Sequence, residues 1–102
     1  SEKIAGSGAV TISEAAERIG RRVTVAGVRQ ASHRSRTVRG DMLFLTLEDL
    51  NGTLDAILFP EVYRQTKSLI SSTKPFLLTG IMEMDADRGE PFLRVEKVLI
   101  VG

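Results

Sequence analysis

Residues 43–63 read LFLTLEDLNGTLDAILFPEVY, and the alternation within them decides the architecture. Leu43, Leu45 and Leu47 are separated by Phe44, Thr46 and Glu48, so a strand here has one apolar face and one mixed face. Asp49-Leu50-Asn51-Gly52 follows as a tight turn, in which Asn-Gly is expected to supply left-handed hairpin angles. Leu54, Ala56 and Leu58 then resume the apolar set, until Phe59-Pro60 ends the strand and starts a helix.

Working outward, residues 1–9 are small, polar and glycine-containing, and are predicted to form a flexible linker ahead of a single domain over residues 10–102. A short helix follows in SEAAERIG, with Ser13 as the predicted N-cap and Gly20 as its end. Strand one is predicted from about Arg22 to Gln30, with Gly27 marking a sharp bend. Residues 31–41, ASHRSRTVRGD, read as a polar loop, and strands two and three as about Met42–Glu48 and Thr53–Phe59. A helix from Pro60 puts Val62, Leu69 and Ile70 on one face. Strand four, FLLTGIMEM, carries a second glycine, Gly80, and the loop from Asp85 to Glu90 leads to strand five, PFLRVEKVLIV. The expected fold is therefore all-β: a five-stranded Greek-key barrel of OB-fold order, with a helix between strands three and four and a short N-terminal helix.

Composition narrows the function. The 102 residues are 42% apolar and 26% charged, which suits one ordinary globular domain. No apolar run approaches the roughly 20 residues of a membrane span, so no membrane partner is expected. The absence of cysteine removes disulfides and thiolate metal sites and fits a cytoplasmic location. A chain starting at Ser1 predicts a segment of a longer protein. Net charge is only +1, yet its distribution is uneven. Arginines 18, 21, 22, 29, 34, 36 and 39 fall in a stretch without a single acid, half of the 14 basic residues. That is a focused positive field rather than a generally sticky surface.

Catalysis finds little material. His33 is the sole histidine, and no cysteine is present to join it in a zinc site. Glu48 and Asp49 are adjacent and point to opposite faces of a strand, so they cannot act as a pair. Asp49 is instead expected to accept bonds from turn backbone near Gly52. No cofactor and no metal are expected. Binding chemistry is better represented. Arg29, Arg34, Arg36 and Arg39, with His33, offer guanidinium forks and donors for phosphate oxygens. Phe44 lies opposite the core leucines with Thr46, where a base can stack; Phe92 and Arg94 share one face of strand five and extend that platform. Phe59, Phe76 and Tyr63 are expected to pack in the core or under the helix.

RRVTVAGV, an arginine-rich loop ending in glycine, and MLFLTLEDLNGTLDAILFPEVY together resemble the OB-fold domain near the C-terminus of the alpha subunit of bacterial DNA polymerase III. The similarity covers about residues 10–100, and FLTLEDLNG and FPEVY are its most specific parts. The resemblance implies a non-catalytic domain of a larger DNA-directed DNA polymerase, replicative or error-prone, that handles single-stranded template. By position it carries over the basic first loop (Arg34, Arg36 and Arg39) and the strand-two face (Phe44 and Thr46). The implied partners are single-stranded nucleic acid, DNA ahead of RNA, and other domains of the parent polymerase. Two other readings fit the same barrel: the anticodon-binding domain of a class II aminoacyl-tRNA synthetase, and an OB-fold that docks an acidic protein.

Overall fold

One long strand, β1 (Arg22–Thr37), pairs with two different neighbours along its length. Arg22 to Gly27 run antiparallel to β4 (Phe76–Asp85), and from Val28 onward β1 runs antiparallel to β2 (Gly40–Asp49). β2 turns back into β3 (Gly52–Leu58), α2 (Pro60–Ile70) leads on to β4, and β5 (Glu90–Ile100) completes the sheet. The order around the closed barrel is β1-β2-β3-β5-β4, sealed by a parallel pairing of β3 with β5. A short α1 (Ile12–Ala16) precedes it. The predicted five-stranded OB-fold barrel is the observed one, in a computed structural model that describes residues 6 and 8–102. Residues 1–5 and 7, most of the predicted linker, lie outside the described residues.

Alternation along β2 and β3 sends Leu43, Leu45, Leu47, Leu54, Ala56 and Leu58 into the barrel, all buried. Val23 and Val25 meet them from β1, and Phe76, Leu78, Met82, Leu93 and Val95 from β4 and β5. Burying side chains of this size contributes roughly 1.5–3 kcal/mol each, which makes this layer the main source of stability. Ile70 of α2 is buried as well, and Val62, Tyr63 and Leu69 pack on the same core. Ile12 and Ala15 attach α1 to it.

Both mid-strand glycines are required by close approach. A Cβ on Gly27 would stand 2.5 Å from the Glu48 carbonyl oxygen and 2.8 Å from Leu47 Cγ, where β1 leaves one partner for the other. A Cβ on Gly80 would run into the Arg94 carbonyl, beside a register shift between Thr79 and Gly80. The bends expected at these two positions are present.

Four local expectations are corrected. Residues 31–41 are not a loop. β1 continues to Thr37 and β2 begins at Gly40, so a tight hairpin replaces it, with Val38 and Arg39 at the tip. The Thr37 hydroxyl donates to the Gly40 carbonyl at 2.6 Å, and Gly40 takes φ +123°. This ribbon is exposed along most of its length and carries no apolar alternation; backbone pairing is its main support, and hydrophobic periodicity could not reveal it. The N-cap of α1 is Thr11, not Ser13. Thr11 Oγ1 accepts from the Glu14 N–H and Glu14 Oε1 accepts from the Thr11 N–H, both at 3.1 Å, because burying Ile12 requires the helix to begin there. α1 also ends at Ala16 rather than Gly20, although Gly20, at φ +84°, still turns the chain into β1. Finally, Asn51 is not left-handed, since no described non-glycine residue has positive φ. Asp49 closes the turn instead, its Oδ1 accepting from the Asn51 and Gly52 N–H groups at 2.7 and 3.1 Å. Its Oδ2 accepts from the Ile12 N–H at 2.9 Å and ties α1 to the hairpin.

Leu45→Ala is expected to cost ~2–5 kcal/mol by leaving a cavity, and Gly27→Ala about 1–3 kcal/mol by overpacking the partner switch. Urea denaturation of the two variants measures both.

Candidate nucleic-acid interface

The register lines up two rows of outward side chains across the sheet. In one row His33 pairs with Phe44, Phe44 with Ile57, and Ile57 with Arg94. In the next, Ala31 pairs with Thr46, Thr46 with Asp55, and Asp55 with Phe92. Directly opposed residues share a face, so five of the predicted site residues (His33, Phe44, Thr46, Phe92 and Arg94) stand on one surface. Phe44 is 39% exposed on that surface, and its ring centroid lies 6.4 Å from that of His33 at a 34° tilt. A groove of about 220 Å³ runs between them, floored by Phe44, Thr46, Asp55, Ile57 and Phe92 and overhung by Arg88 of the β4–β5 loop. It is smaller than the roughly 300–1,000 Å³ of small-molecule sites and has the scale of a planar ring.

The arginines are distributed differently. Arg29 donates through Nη1 to the Ile70 carbonyl at 3.0 Å, so its guanidinium caps the C-terminal end of α2. Register shifts between Arg29 and Ala31, which makes Gln30 the extra residue of a β-bulge. Beyond it Ser32 pairs with Leu45, Arg34 with Leu43 and Arg36 with Asp41, which places Arg34 and Arg36 on the face opposite Phe44. Arg34 also lies 3.7 Å from Asp41. Arg36 and Arg39 are exposed near the hairpin tip. Arg94 stacks its guanidinium over Phe59, 4.4 Å from the ring centroid, and lies 3.8 Å from Glu83. Phe76 is fully buried and Tyr63 packs on the core, as expected for both.

Asp55, Ile57 and Arg88 are among the groove residues that the sequence reading does not single out. Asp55 and Ile57 face out because Leu54, Ala56 and Leu58 face in, and the same alternation that exposed Phe44 carries this signal. Arg88 had no such signal. It arrives through the β4–β5 turn, where Asp85 Oδ1 accepts from the Asp87 and Arg88 N–H groups at 3.0 and 3.2 Å. The groove lining is of mixed charge: Asp55, Asp85 and Glu90 against Arg88, which is 3.3 Å from Glu90. Arg39 at the hairpin tip and Arg94 on β5, the latter beside Glu83, stand at the two ends of the face.

No family model matches the chain. Among known proteins it is similar to the error-prone DNA polymerase of Symbiobacterium thermophilum, 30% identical over 102 residues, covering 98% of this chain and 9% of that polymerase. It is 28% identical over 88 residues to DNA polymerase III subunit alpha of Bacillus subtilis, covering 85% of this chain and 8% of the subunit. The chain thus spans less than a tenth of the relatives it matches. In fold it is similar to asparaginyl-tRNA synthetase of Pyrococcus horikoshii complexed with asparaginyl-adenylate (TM-score 0.68, 24% identity, 91% of this chain and 22% of that one). It is also similar to RecG bound to a three-way DNA junction (TM-score 0.61, 19% identity, 81% of this chain and 11% of that one).

Arg29→Ala is expected to lower stability by about 1 kcal/mol through loss of the helix cap while leaving single-strand affinity within about twofold; thermal melts and titration of the same sample check it. Sequence similarity along nearly the whole chain, joined to the closed five-stranded barrel, supports an OB domain of the DNA polymerase III alpha type, replicative or error-prone.

Proposed function

We propose that this domain is a non-catalytic single-strand-binding module of a bacterial DNA polymerase III alpha-type chain, acting in the cytoplasm beside the other domains of that polymerase. The observation that carries the reading is the alignment of Phe44, Phe92, Thr46 and His33 on one face around a ring-sized groove. Bases stack on exposed aromatics whatever their sequence, at ~1–3 kcal/mol each. Arginines of the β1–β2 hairpin, with Arg39 at the tip and Arg34 and Arg36 on the reverse of the ribbon, supply phosphate contacts past the edge of that face. The polymerase relatives support DNA as the strand bound.

The same barrel on RNA, in the manner of an anticodon-binding domain, is the second reading, and the fold likeness to asparaginyl-tRNA synthetase favours it. Ribo- and deoxyribo-oligonucleotides of one sequence, titrated side by side, separate the two. A third outcome, no saturable binding to either, points to protein docking.

Fluorescence anisotropy at low salt is expected to show weak binding of a short DNA strand, with a dissociation constant on the order of micromolar or above. Phe44→Ala should lower that affinity by ~1–3 kcal/mol and leave the fold intact. An unchanged affinity removes the stacking platform.

Replacing Arg34, Arg36 and Arg39 together by alanine is expected to flatten the dependence of binding on salt. Each lost phosphate contact takes about 0.7 from the single-strand log–log slope, while stability stays within about 0.5 kcal/mol. A slope equal to that of the unaltered protein removes the hairpin from the interface.

A further inference from the structure

We propose that the groove selects its base and takes guanine, through the carboxylate of Asp55; this rests on the single-strand reading above and deepens it. Asp55 stands at the groove floor between Thr46 and Phe92, its direct neighbours in the β2–β3 and β3–β5 ladders. It is half-buried there. An unengaged negative charge is a costly residue to place where a polyanion is to lie, so its chemistry calls for a function.

Each of the other two groove carboxylates has a partner. Asp85 Oδ1 holds two turn N–H groups, and Glu90 pairs with Arg88. Asp55 takes part in none of the ion pairs among the described residues. Among the described residues its one hydrogen-bond partner is the Thr46 hydroxyl at 3.5 Å, well beyond the 2.5–3.0 Å of a strong O–H···O bond. Both carboxylate oxygens are therefore available to a ligand, and an ionised carboxylate can only accept.

The four bases answer that demand differently. The Watson–Crick edge of guanine places two donors side by side, N1–H and the N2 amino group, which match the two oxygens of a carboxylate as a fork. Cytosine and adenine each present one amino donor next to ring acceptors. Thymine presents one N–H between two carbonyl oxygens, both of which the Asp55 charge repels. A base stacked on Phe92 or Phe44 brings that edge over β3, where Asp55 stands. A site built to pair with specific donors rejects the base that lacks them, because the half-buried carboxylate is then covered and left unpaired.

The test uses the 102-residue chain, whose barrel encloses its own core, and oligothymidine strands of equal length carrying one central guanine, inosine, cytosine or adenine, or none. Inosine keeps N1–H and lacks the amino group. The guanine strand is expected to bind at least fivefold more tightly than plain oligothymidine, with the inosine strand between them. Asp55→Asn should bring all strands to within twofold of each other and bind plain oligothymidine at least as tightly as the unaltered protein does, since a negative charge is gone. Equal binding of the guanine and thymidine strands by the unaltered protein overturns the assignment without need of the variant. So does a guanine preference that survives in a folded Asp55→Asn protein. If no strand binds at all, the single-strand reading itself fails and the guanine assignment fails with it.

Discussion

The whole surface described above depends on β1 serving two neighbours in succession. A five-stranded sheet closes into a barrel when one strand can leave β4 and join β2 within a single residue step, and Gly27 stands at that step. Any side chain there would meet the Glu48 carbonyl and Leu47, so the backbones come together as closely as the closure demands. The bulge at Gln30 follows three residues later. It reverses which side chains of β1 face outward. Without it Arg34 and Arg36 would stand beside Phe44; with it His33 and Ser35 do, because a shift of one residue exchanges the faces of a strand.

This reversal explains the character of the face. Its centre is aromatic and of mixed charge, and its arginines lie at the margins, Arg39 at the hairpin tip and Arg94 on β5. On the proposed single-strand reading, stacking at the centre and phosphate contacts at the edges divide the binding between them, and a single OB barrel working this way binds weakly by itself. Arg29 has a structural task as well: its guanidinium serves the carbonyl at the end of α2, so it contributes to holding the helix in place.

Asp49 performs a similar structural task with a carboxylate. Its two oxygens satisfy the turn after β2 and the start of α1, joining elements 37 residues apart. Asp55, six residues on and of the same chemistry, has no such set of donors among the described residues. The difference between these two acids is the number of backbone N–H groups within reach, and that number is a property of the turn and not of the side chain.

Much of this was legible in the residues themselves. The apolar alternation of Leu43–Leu47 and Leu54–Leu58, the Pro60 helix start, and glycines at positions 27 and 80 determined a barrel of OB order, because burial period and backbone sterics are local in sequence. They also determined that Phe44 and Thr46 face outward, and that Asp49 serves its turn. The polar half of β1 was not legible, since a strand without a buried face has no period to detect. Nor was the capping of α2 by Arg29, which needs residues 41 positions apart to meet. Tertiary structure alone decided which side chains of the arginine-rich stretch share the Phe44 face, because one extra residue at Gln30 sets it and only the pairing of β1 with β2 reveals that residue.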